Sequence, residues 1–228
     1  LPQSVFGGLA IVLGLGGSYI SSERNAGEEK AQEVIAAYSR QNASAMVKAA
    51  KKSESEWFEM DIYNNPIAYF EGLGQLQQGG QRPSKNQLNS ALKTLERAHE
   101  IHPYHMLTMN QMAQIYRIKG QVKLARDMYK DVVEMSPHNT TALLGLMESE
   151  RTLGNVYGAL DALVDISPKY TFKNLPGYRP EALKTLQAFA RLEQPRNATR
   201  DLHQQLNEAP QNKMWQIWTE FRQIHHKK

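Results

Sequence analysis

The sequence predicts an all-α chain in which antiparallel helix pairs stack into a solenoid, preceded by one helix of membrane-spanning length. Prolines at 103 and 137 stand 34 residues apart and bracket a helix–turn–helix pattern that recurs, more weakly, in the stretch after it. The remaining segments carry apolar residues at helical spacing and show no strand. The first 22 residues hold no charge.

Composition limits the function. A chain of 228 residues is long enough for one or two compact domains or one short solenoid. With 41% hydrophobic and 22% charged residues it is expected to fold over most of its length. The formal charge is only +4, from 27 basic and 23 acidic residues, so no nucleic-acid partner is expected. The absence of cysteine excludes disulfides, thiol catalysis and thiolate metal sites.

Residues 1–22 read as a transmembrane helix. Val5 to Ile20 is apolar on every side, and about 20 helical residues span roughly 30 Å, the thickness of a bilayer core. The flanks suit a span better than a cleavable signal, because Leu1-Pro2-Gln3-Ser4 carries no base. A buried helix or strand of a water-exposed domain is the alternative. The glycines Gly14, Gly16 and Gly17 also imitate a dinucleotide-binding turn. Tyr19 occupies the third glycine position, and no βαβ unit follows.

The repeat is best seen from Met106. Tyr116 is then its eleventh position, Gly120 its fifteenth, at the turn, and Ala125 its twentieth, where two helices approach closely. Tyr129 is the twenty-fourth and Pro137 the thirty-second. This pattern resembles the tetratricopeptide repeat (TPR), with Met109, Met112 and Ala113 in place of the usual Trp, Leu and Gly. One unit later come Gly154, Ala159 and Leu163, with the closing proline early at Pro168. One unit earlier, Ile67–Gln78 and Ala91, Leu95, Ala98 and Pro103 supply a pair with a longer turn, Gly79 to Ser84. Such pairs bury their apolar faces only by stacking on neighbours.

The expected organisation is therefore a transmembrane helix over 1–22, a degenerate helical pair over 23–65 and TPR-like repeats over 66–168. Helices over 169–228 would cap the solenoid. The degenerate pair is expected at Ala26–Arg40 and Ser44–Tyr63. The last helix carries Met214, Ile217, Trp218, Phe221 and Ile224 on one stripe, which suits a cap or else a membrane-surface or partner-binding helix.

No catalytic constellation is visible, so no catalytic residue, metal or cofactor is expected. His99, His102 and His105 stand three apart, but Pro103 interrupts the helix that would align them on a metal. Glu54, Glu56 and Glu59 read as a solvated face. Asn42, Asn139 and Asn197 each begin a glycosylation triplet, and Asn139 fits a helix N-cap equally well.

The TPR resemblance implies a concave groove built from the first helix of each pair. It places Asn110, Gln114, Arg117, Glu148 and Arg151 on that groove, with a protein or peptide as the partner. Arg117 and Arg151 are 34 residues apart and would align to receive carboxylate or phosphate groups. The order of apolar helix, irregular pair and repeats also resembles the C-terminal part of bacterial O-antigen ligase or polymerase-like membrane proteins. Val5–Ile20, Asn65 to Phe70 and His102-Pro103-Tyr104 carry that likeness. It implies an inner-membrane setting, on either face, with the glycan-transfer chemistry upstream. A membrane-anchored TPR adaptor in envelope assembly or protein quality control is the competing expectation.

Overall fold

A computed structural model describes residues 3–55, 58–166, 180–182, 184, 185 and 188, with only the backbone of residues 3–16 and 164. Among the described residues the chain forms eight α-helices. These are α1 (Gln3–Ser39), α2 (Ala43–Ser53), α3 (Ile67–Gln78), α4 (Lys85–Ile101), α5 (Met106–Ile118), α6 (Val122–Met135), α7 (Thr140–Thr152) and α8 (Val156–Asp165). Residues 180–182, 184, 185 and 188 are also helical. The remainder of the expected C-terminal helices lies outside the described residues. Two compact units meet inside α5, one ending at Met112 and the other beginning at Ala113.

In the first unit α1 packs on α2, α2 on α3 and α3 on α4. α1 is one continuous helix of 37 residues, with no break between the expected span and the expected helix at Ala26–Arg40. Its C-terminal half follows helical amphipathicity: Gly27, Ala31, Val34 and Ala37 are buried at spacings of three and four. Gly27 is required there, since a Cβ would meet the Phe58 ring at 2.3 Å. No helix among the described residues is long and apolar enough to cross a membrane. The side chains of residues 3–16, the centre of the expected span, lie outside the description.

α2 is shorter than the periodicity suggests. Asn42 caps its start by accepting from the Ala45 amide, and it stops at Ser53 rather than Tyr63. The reason lies in residues 54–66. The Asp61 carboxylate accepts from the amides of Tyr63 and Asn65, each at 2.8 Å. Such local bonding offers the backbone an alternative to helix. Two isolated antiparallel bridges, Ser55 with Phe58 and Met60 with Pro66, fold the segment back. α3 then begins after Pro66 and α4 after Ser84, where Ser84 and Gln87 form a reciprocal capping box.

In the second unit α6 packs on α7 and α7 on α8. The repeat landmarks appear where the period places them. Ala125 and Ala159 are fully buried. Gly120 and Gly154 adopt φ +77° and +81°. At each, the following amide reaches back five residues, Gln121 to Tyr116 and Asn155 to Glu150, closing the preceding helix in a Schellman turn. Tyr129 packs against α7 at Gly145, where a Cβ would lie 2.2 Å from its ring. Its core includes Val132, Leu143, Met147, Leu163 and Ile166. α8 has 10 residues against 14 in α6, consistent with the early Pro168.

Candidate functional site

The residues expected on the groove do not share one environment. Asn110 is buried at 5% exposure, and its Oδ1 has no hydrogen-bond partner. Gln114 is half-buried on the same helix. Arg117, Glu148 and Arg151 do come together in the second unit, but as an ion-pair ladder and not as open arginines. Arg117 donates to Glu148 at 2.6 Å across α5 and α7. Arg151 pairs with Glu181, which also accepts Lys184 at 2.6 Å. Burial raises the Glu148 pKa, against the lowering field of Arg117. Both arginines still hold a buried Nε that meets no acceptor among the described residues, at positions one repeat apart. A buried guanidinium N–H without a partner is uncommon in folded proteins.

The first unit holds two clusters that sequence reasoning did not find. One lies along a cleft of about 640 Å³ lined by Lys51, Glu54, Glu71, Lys93, Arg97 and Glu100, among others. Arg97 donates to Glu54 at 2.7 Å and to Glu71 at 3.1 Å, and Lys51 stands 3.7 Å from Glu71. Glu71 is buried on α3, and its other oxygen also accepts from Gln75 at 2.8 Å. Glu54 is thus half-buried in an ion-pair network with the part-exposed Arg97, not on the solvated face expected of it. Its own burial raises its pKa, opposed first by Arg97. The signal for this cluster was a single acid, Glu71, in the apolar run Ile67–Gly74.

The second cluster surrounds His105. Its Nδ1 lies 2.7 Å from Thr108 Oγ1 and its Nε2 3.1 Å from Asn65 Oδ1. Asn65 in turn donates through Nδ2 to Asp61, at 2.9 Å to Oδ2. Burial, together with His102, lowers the His105 pKa to about 4. Tyr69 meets the imidazole edge-on at 5.0 Å, and Phe70 meets Tyr69 and Tyr38 edge-on at 5.2 and 5.6 Å. Beside these rings is a small pocket of about 160 Å³ reaching Tyr63 and Leu107. Of the three histidines spaced in the sequence, His105 thus serves a polar network. No group of three or more potential ligands among the described residues could hold a metal ion. Asn42 and Asn139 both act as N-caps, and Asn197 lies outside the described residues.

Solved structures share this architecture. The fold matches MamA (MSR-1) at TM-score 0.51 and 16% identity, covering 86% of this chain and 96% of that one. It matches a thermophilic TPR protein from Thermus thermophilus at TM-score 0.50 and 16% identity, over 87% of this chain and all of the other. A tetratricopeptide repeat protein from Parabacteroides merdae matches at TM-score 0.52 and 13% identity, over 89% and 88%. These likenesses give a TPR-like fold. No protein-family model matches the sequence, and no curated protein matches it.

Proposed function

We propose that the chain is a TPR-like interaction module that holds a polypeptide along the first-helix face of its second unit. The observation that carries this reading is the pair of ion-paired arginines, Arg117 and Arg151, one repeat apart, whose side chains remain 37% and 24% exposed. Each guanidinium is already charge-balanced by a glutamate, so a bare anion gains little there. Peptide carbonyls are the acceptors that suit such a site, because they can accept from the exposed part of each guanidinium without displacing Glu148 or Glu181. Gln114, beside Arg117 on α5, would contribute a further amide contact.

The same reading tethers the module to a bacterial inner membrane through residues 1–22, whose uncharged sequence supports it. It makes the array the non-catalytic C-terminal part of an O-antigen ligase or polymerase-like protein. The order of apolar helix, irregular pair and repeats supports that assignment. Further membrane spans encoded directly upstream of Leu1 would favour it. A short start there would favour a stand-alone envelope adaptor.

The groove is tested by crosslinking the tagged chain in cells and comparing partner recovery for R117Q/E148Q and R151Q/E181Q. Each double variant removes an ion pair without leaving a buried charge unpaired, since Lys184, which loses Glu181 in the second, is 53% exposed. Recovery is expected to fall about tenfold with unchanged thermal unfolding, the size of a lost charge-assisted contact. Undiminished recovery by both variants rules the groove out.

A further inference from the structure

We infer that the small aromatic pocket of the first unit receives the cationic head of a lysine or arginine side chain from a partner polypeptide. This deepens the proposed interaction role and rests on it for the nature of the partner. The pocket stands on its own geometry. Tyr38, Tyr63, Tyr69 and Phe70 line it together with Leu107 and Asp61. Phe70 meets Tyr38 at 73° and Tyr69 at 64°, so neighbouring rings form corners and not stacks. Rings arranged as adjoining walls offer π density from more than one side, the environment that attracts a cation. At about 160 Å³ the pocket suits one side-chain head and not a drug-sized ligand.

Charge complementarity sets the sign. Asp61 is the one carboxylate, and no lysine or arginine appears, among the described residues that line the pocket. It is 6% exposed. Its oxygens accept from the Tyr63 and Asn65 amides and from Asn65 Nδ2. No lysine or arginine among the described residues pairs with it. His105, linked to it through Asn65, is neutral at pH 7 because burial lowers its pKa to about 4. A buried carboxylate with hydrogen bonds and no counter-charge is therefore set against an aromatic wall. Buried charges ordinarily come paired. The pocket opens at Tyr38, 44% exposed, and Tyr63, 68% exposed, so a side chain from outside can reach it.

The test uses the full chain with 13C-labelled isoleucine and leucine methyl groups, titrated with acetyl-Gly-Arg-Gly-amide. The control peptide carries citrulline, which keeps the shape of arginine and removes its charge. The arginine peptide is expected to shift the methyl signals of Leu107 and of Ile35, which also lines the pocket, saturably in the millimolar range. The citrulline peptide should bind at least about tenfold more weakly. Asp61→Asn should weaken arginine binding by a similar factor. Because Asp61 also orders its own turn, Tyr63→Ala is the second variant. It removes an exposed ring, and it should weaken binding several-fold with unchanged thermal unfolding. Equal binding of the two peptides, or no saturable shift with either, overturns the assignment. Failure here with capture still dependent on Arg117 and Arg151 removes the pocket and leaves the interaction role. A selective arginine shift with groove-independent capture keeps the pocket and removes the Arg117/Arg151 groove.

Discussion

His105 shows how a single protonation state holds a turn together. Asn65 gives its Nδ2 to Asp61, so its Oδ1 is left to accept from His105 Nε2–H. The remaining ring nitrogen, Nδ1, then accepts from the Thr108 hydroxyl. Protonating Nδ1 removes that acceptor and places a charge in a buried site. The folded pKa of about 4 lies below the ordinary 6.5, so the neutral ring stabilises the fold fully above pH 6.5. That contribution is lost as pH falls from 6.5 toward 4. With partial screening it amounts to about 2 kcal/mol. Urea unfolding of wild type and His105→Gln across this range isolates the histidine, because carboxylates that titrate in the same window are common to both proteins. Wild type should lose stability relative to the variant as pH drops, and parallel curves would contradict the network. The sequence displayed His105 but not its partners. Asn65 is 40 residues upstream, and no local pattern connects them.

Helix ends were the elements most readable in advance, because the residues that close them act locally. Gly120 and Gly154 were placed at turns by the 34-residue period, and both take positive φ in Schellman closures. An alanine at either position must adopt left-handed geometry, at about 1–2 kcal/mol. Gly120→Ala and Gly154→Ala are each expected to lower the urea midpoint correspondingly. Nothing lies within 4 Å of the added Cβ at either site, so the cost is conformational and not a clash. A neutral outcome at both would remove backbone strain as the reason for glycine. Elements fixed by distant contacts were less legible. Helical periodicity continued past Ser53, but the Asp61 turn and the burial of Phe58 against Gly27 ended α2 early. Arg117 and Arg151 are one repeat apart in the sequence, yet their glutamate partners come from other helical segments, so spacing alone left them looking open.

For the whole molecule the decisive element is α1, because one helix serves two environments along its length. From Gly27 onward it is ordinary packing, with Ala31, Val34 and Ala37 buried. Between Gly17 and Ala26 no residue is buried, and Tyr19 is 60% exposed. Deleting residues 1–22 therefore removes no buried side chain among the described residues. Thermal unfolding of the shortened chain should match that of the full chain. Membrane association should differ sharply, since the deletion removes the entire uncharged run. Flotation with neutral phosphatidylcholine vesicles separates insertion from surface attraction, because a net charge of +4 has no anionic lipid to bind there. The full chain is expected to float with the vesicles and the shortened chain to remain in the unbound fraction. Replacing Ile11 and Leu13 by glutamate in the full chain should have the same effect as the deletion, since each buried charge opposes insertion by about 3 kcal/mol. Equal partitioning of all three proteins would detach the repeat array from any membrane role. The arginine pair and the aromatic pocket would still be testable as sites of an untethered module.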